Sequence, residues 1–240
     1  MRTFFTLAVS LIFSLTAAQT KIDKSFPVSN KKSVKFKFDY PQLIKISTWD
    51  QNRIHISGSV VINENESNNA FEINESNEGN VWTISGAIPA LDKIPRRIKV
   101  TKGNEKIVFK NKEELQKYSK ENNATFDSMS DGADISIELE IKVPVFLKTY
   151  VEATYGLVEV RDFRGDISVN ALYGGVDATI EEKKAGKIVA ETYFGQIYSN
   201  LDTKLSGKEI DDFHTSVSAT PGTGSQYNLE SKYGNIYLRK

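Results

Sequence analysis

No cysteine occurs anywhere in the 240-residue chain, which excludes disulfides, thiolate metal sites, a cysteine nucleophile and the lipid-bearing cysteine of a bacterial lipoprotein. Excess charge is missing too. The 31 Lys and Arg face 31 Asp and Glu, so no global field steers the protein toward nucleic acid or an anionic membrane. Long hydrophobic runs are confined to the first residues, where the apolar stretch from Phe4 to Leu15 falls short of the roughly 20 residues a spanning helix needs. Long helical periodicity is almost absent, which leaves strands to build the core.

What is present begins with a leader. In "MRTFFTLAVSLIFSLTAAQT" one early cation, Arg2, precedes the apolar run, and small residues precede Gln19, the pattern of a secretory signal cleaved after Ala18. Export is expected, to the periplasm, the outer surface or the medium, and an exported chain of this size without disulfides fits a bacterial envelope. Three regions are expected: a signal peptide over 1–18, a strand-rich region over 19–145 with a charged insertion at about 99–123, and a repeat region over 146–240 continuous with it.

Period-two alternation runs through Val34, Phe36 and Phe38, then "LIKISTW" and "RIHISGSVVI", and predicts half-buried strands. The polar tract 63–69, "NENESNN", reads as a mobile surface loop. Within the insertion only "KEELQKYSK" has helical character, about two turns of it. The clearest strand follows, with Ile135, Ile137, Leu139, Ile141, Val143 and Val145 alternating with polar residues, and Pro144 marks its end or an edge.

The region after 146 repeats itself. Tyr155, Tyr173, Tyr193 and Tyr233 each precede a turn glycine at intervals of 18, 20 and 40, with Phe213 at the missing marker. Four residues before each tyrosine stand Val151, Val169, Val189 and Leu229, and after each turn come Val158, Val176, Ile197 and Ile236. A second series, Gly165, Gly186, Gly207 and Gly224, falls between the first, so the unit is strand, turn, strand, turn. So small a unit buries its apolar row only by stacking on its neighbours. The expected fold is all-β: a β-solenoid or β-roll of four to five two-strand rungs with a tyrosine ladder at one corner, preceded by the strand-rich region. The last rung, ending in Arg239 and Lys240, is expected to blunt an open edge. An antiparallel sandwich with regular hairpins is the competing architecture.

The phrases "KISTWDQNRIHISGSVVI", "IELEIKVPVFLKTYVEATYGLVEV" and "ESKYGNIYLRK" resemble an exported bacterial family known as "putative adhesins" of unknown function. Trp49, Asp50, Val143, Pro144, Tyr155 and Gly156 carry the match. The resemblance implies repetitive β-strands built on glycine corners, and it brings no catalytic residues with it.

Chemistry is sparse. His55 alternates with Ile54 and Ile56 and is expected at an exposed strand position; His214, beside Asp211 and Asp212, is the best polar candidate, though such a cluster is more often a solvated loop. Ser225 follows "PGTG" but lacks the nucleophile-elbow pattern, and neither Gly186-Lys187 nor Gly207-Lys208 completes a phosphate loop. Asp162, Asp166, Asp177, Glu181 and Glu182 are the acids a polysaccharide-cleaving enzyme could use, and outward-facing acids are usually just the solvated face. "RGD" at 164–166 fits a corner turn, and the cations Arg96, Arg97, Lys99, Lys102, Lys106 and Lys110 could meet an anionic polysaccharide. Asn65, Asn74 and Asn123 head glycosylation sequons. No catalytic residue, cofactor or metal is assigned. The expectation is a non-enzymatic, adhesin-like binding or structural module of the envelope, partnered by a glycan or an envelope protein and not by nucleic acid. The alternatives are a carbohydrate-active enzyme on a β-helix scaffold and a periplasmic accessory or sensor protein.

Overall fold

The computed structural model describes residues 20–78, 81–209 and 213–240, so the expected signal peptide and the pair Asp211 and Asp212 lie outside the described residues. Four strands open the described residues, β1 (Thr20–Pro27), β2 (Ser33–Phe38), β3 (Leu43–Trp49) and β4 (Arg53–Ile62), followed by β5 (Glu72–Glu78) and β6 (Val81–Ala87). The insertion then forms β7 (Arg97–Lys102), β8 (Glu105–Phe109), helix α1 (Lys112–Asn122) and β9 (Ser128–Gly132). Next come β10 (Ile135–Pro144), β11 (Lys148–Ala153), β12 (Leu157–Val160), β13 (Ile167–Ala171) and β14 (Val176–Thr179). The chain ends with β15 (Ala185–Thr192), β16 (Ile197–Ser199), β17 (Ser206–Glu209), β18 (Thr215–Ala219), β19 (Ser225–Ser231) and β20 (Ile236–Arg239).

The all-β expectation holds. Two large mixed sheets dominate, one ordered β1-β4-β10-β3-β12-β14-β20-β16 and the other β17-β18-β15-β19-β13-β11-β2-β6-β5. Five consecutive strand pairs cross from the second sheet to the first through a tight corner: β2 to β3, β11 to β12, β13 to β14, β15 to β16 and β19 to β20. Within each sheet these strands run parallel, in register apart from one shift in β15. Equivalent inward residues therefore form rows: Phe36, Val151, Val169, Leu229 and Ala190 in one sheet, Ile44, Val158, Val176 and Ile236 in the other. All of these are buried, and the two sets of rows make one continuous core.

Two expectations about the stack are corrected. The pairs do not stack in chain order, because β19–β20 sits between β13–β14 and β15–β16. Its strands pair on both sides, so Arg239 has no open edge to blunt; its Nε instead reaches Asp177 Oδ1 at 2.8 Å. The stack also starts earlier than 146, since β2 and β3 form its first pair. Antiparallel strands extend it: β4 and β1 beyond β10, β5 beyond β6, and β18 and β17 beyond β15.

Residue spacing inside β15 also differs from the expectation. A register shift at Gly186 inserts one residue relative to β19, so that Ala190, not Val189, faces Leu229. A one-residue shift exchanges the faces of a strand, which turns Val189 outward and leaves it half-buried.

The charged insertion is a small folded unit. β8, β7 and β9 form a three-stranded antiparallel sheet, and Ile98, Val100 and Phe109 make a core of their own beneath Leu115 and Tyr118 of α1 and Phe126. The helix starts at an Asn111 cap whose side chain accepts from Glu114 N, and it ends at Asn123 in the left-handed conformation. The tract 63–69, expected as a mobile loop, fastens this unit to the body. Asn63 is fully buried, its Nδ2 donating to Pro95 O at 2.6 Å and its Oδ1 accepting from Asp134 N at 2.9 Å. Asn68 Oδ1 accepts from Ile62 N at 2.7 Å, and Glu66 takes both Arg97 and Lys110. These asparagines replace water as partners for backbone groups that the junction buries.

Candidate functional site

Each sheet-to-sheet corner places an aromatic ring above the last. The column runs Tyr40, Tyr155, Tyr173, Tyr233, Phe194 and Phe213, with centroid separations of 6.5, 5.3, 5.2, 5.1 and 5.7 Å in that order. The spacing follows the distance between neighbouring strands. Beneath the rings runs a column of close backbone contacts. A Cβ on Gly156 would lie 2.2 Å from Pro41 O, one on Gly174 1.5 Å from Gly156 O, one on Gly234 2.2 Å from Gly174 O, and one on Gly195 2.0 Å from Gly234 O. Glycine is required there by proximity, since nothing larger than hydrogen fits between successive corners.

Sequence reading placed Tyr193 in this column, and the structure puts Phe194 there instead. The shift at Gly186 moves the marker by one, and Tyr193 stacks on His214 at 4.2 Å. A hydrogen bond to Glu191 holds the Tyr193 hydroxyl above its ordinary range, and Glu191 Oε1 lies 2.7 Å from His214 Nε2. Tyr40 was missed because Pro41, not glycine, follows it. The signal was nevertheless present, for Phe36 and Phe38 stand four and two residues before Tyr40, as Val151 and Ala153 stand before Tyr155.

Stacked rings cover each other's faces, so along most of the column only edges and hydroxyls meet solvent. The exception is the end, and there the insertion comes close. A groove of about 450 Å³ runs between the corner and the small sheet, with Tyr40, Gln42 and Tyr155 on one wall and Lys99, Lys106 and Ser130 on the other. Gln42 is oriented by its bonds to Ile135 O and Ser136 Oγ. Burial, then the charge of Asp39 and the neighbouring Tyr155, raise the Tyr40 hydroxyl above its ordinary range. Lys106 pairs with Asp134, while Lys99 Nζ donates at 2.9 Å to Ala133 O. Aromatic surface thus faces hydroxyl and ammonium groups across the groove, with the Gln42 amide beside the rings, a mixture that suits a polyhydroxylated ligand.

The residues singled out in the sequence are mostly absorbed by structure. His55 stacks on Trp49 at 5.8 Å, with Nδ1 3.2 Å from Ser25 Oγ. Ser225 Oγ donates to Arg164 O, Asp166 accepts from Gln226 N, and Arg164 Nη2 lies 3.5 Å from Asp50, so "RGD" is woven into a corner. Glu181 pairs with Lys184, and Glu182 caps the N–H groups of Asp202 and Thr203. Asp162 has a left-handed φ of 45° beside Thr48, which accepts from Arg164 N. Among the insertion cations, Arg96 pairs with Asp131, and Arg97 and Lys110 share Glu66. Among the described residues no three His, Cys, Asp or Glu side chains cluster as metal ligands.

Asp177, expected on a solvated face, is nearly buried between Arg161 and Arg239. Burial alone would raise its carboxyl, but the hydrogen bonds from both guanidinium groups outweigh this and hold it below its ordinary value of 3.8. A depressed folded value means that the ionised pair stabilises the protein at neutral pH and that this contribution fades as pH falls from about 4 through the folded value. Asp177→Asn is therefore expected to lower the melting temperature by a few degrees at pH 7. The gap to the native protein should close in melting curves taken at progressively lower acid pH; a gap that persists unchanged at pH 2 contradicts this account.

No family model matches the chain, and no curated protein matches it. Among solved structures, a "putative cell adhesion protein" from Clostridium sporogenes aligns over 92% of this chain and 99% of its own at 11% identity, with a TM-score of 0.47. A "putative adhesin" from Bacteroides fragilis aligns over 92% of this chain and 98% of its own at 11% identity, with a TM-score of 0.24.

Proposed function

We propose that this chain is an exported, non-enzymatic binding module of the bacterial envelope, adhesin-like in role, that takes an oligosaccharide in the groove between the Tyr40–Tyr155 corner and the small sheet. The carrying observation is the pairing of two aromatic rings with a wall of lysine and serine side chains across one groove. Sugars present both C–H faces and hydroxyls, and this groove offers a complement to each. Export rests on the leader pattern at residues 1–18. The parallel strand pairs support reading the body as a short β-solenoid whose rungs are stacked in a permuted order. A binding role, not hydrolysis, agrees with the engagement of Asp166, Asp177, Glu181 and Glu182 in structural contacts. No helix among the described residues is long and apolar enough to cross a membrane.

A glycan array followed by calorimetry on the best binders tests the reading. Tyr40→Ala, which removes the end ring of the column where it lines the groove, is expected to weaken the selected oligosaccharide about tenfold or more, the value of losing one aromatic platform. Tyr198→Ala, which removes an exposed ring stacked on Tyr237 in the first sheet, should leave affinity unchanged. If no array glycan is retained, or if the two variants bind alike, the groove is not the site.

A further inference from the structure

Resting on that reading, we infer that the groove's ligand is an acidic sugar, with its carboxylate received by the Lys99 ammonium. Arg96, Arg97, Lys106 and Lys110 each have a carboxylate partner. Lys99 does not. Its Nζ donates to the carbonyl of Ala133 at 2.9 Å, and among the described residues no carboxylate lies within ion-pair distance. Lys99 is half-buried in β7, so its charge has given up part of its water without gaining a counter-charge. An ammonium with one of three N–H groups committed keeps donors for an incoming anion.

The groove's charge fixes which anion. Lys99 and Lys106 bring two positive charges and Asp134 one negative, leaving one net positive charge. A carboxylate balances this. A phosphate would add a second negative charge facing Asp134. Lysine, being a compact point charge on a flexible stem, imposes no bidentate geometry, so a carboxylate on a sugar ring can be met without a fixed approach.

Calorimetry with a galacturonic acid trimer and with its fully methyl-esterified form tests the inference on the full chain. The acid is expected to bind at least about tenfold more tightly at low salt, with the advantage shrinking as ionic strength rises. Lys99→Met, which keeps the aliphatic stem, should erase the preference for the acid, bringing acid and ester to one affinity. Equal affinity for acid and ester in the native protein, or a preference that survives Lys99→Met, overturns the carboxylate assignment while Tyr40-dependent binding keeps the groove. Binding of neither trimer, together with an empty glycan array, removes both. A terminally sialylated trisaccharide and its asialo form, run in parallel, distinguish a terminal acid from one within a uronate chain.

Discussion

Val169→Asp is expected to destabilise the fold severely. Val169 is 2% exposed and lies in the inward row of β13, in register with Val151 on one side and Leu229 on the other. A carboxylate there has no cation within the core and no water, and such a substitution costs about 4 kcal/mol or more. A typical domain is held by only about 5–15 kcal/mol, so this single change removes about a quarter to four-fifths of the margin. The loss also spreads, because β13 is central and both of its neighbours depend on it. The expected observation is loss of soluble yield or of any sharp thermal transition. Lys183→Ala, on an exposed 3-10 turn, is expected to shift stability by less than about 0.5 kcal/mol. Equal melting behaviour of the two variants would sink the inward assignment of that row.

Gly174→Ala is the second large effect, and it acts by a different route. A methyl group at this corner would stand 1.5 Å from the carbonyl oxygen of Gly156, a backbone atom that cannot swing aside as a side chain would. Relief requires the two corners to separate, which pulls Tyr155 away from Tyr173 and strains the strands on either side. The expected cost is about 3 kcal/mol or more, at the upper end of overpacking substitutions. Gly132→Ala is the matched control, because a Cβ there meets nothing closer than the tip of Lys99 at 3.9 Å. Urea midpoints that fall together for both would show that the column of close approaches does not bear on stability.

Much of this architecture is legible from residue spacing. Alternation identifies the inward rows because side chains of a strand point to opposite faces, and the tyrosine–glycine pairs identify the corners. Rung order is not legible in the same way. Phe36, Val151, Val169 and Leu229 are interchangeable apolar residues, so each strand pair presents much the same edge to any neighbour. What discriminates is small: Ser231 Oγ accepts from Gly234 N and donates to Gly174 O, and Thr192 Oγ1 donates to Gly234 O. These hydroxyls stand where Ala153 and Ala171 stand in other pairs. Their meaning depends on which corner lies above, a fact of tertiary structure. The groove was half visible, for the insertion's lysines and the aromatic column were both apparent, but their meeting depends on Asn63 and Asn68, whose tract looked merely polar.

The placement of β19–β20 also governs when the molecule can close. Partners such as β11 and β13 lie near each other in the chain, whereas β19 must return across the whole β15–β18 segment to reach β13. Contacts of such long sequence separation form late. Until residues 225–239 are available, β13 and β15 have no strand between them, and β14 and β16 likewise. A chain in which residues 225–239 have not yet docked therefore carries an open slot through both sheets. Locking of the two sheets into one core waits for that pair to dock.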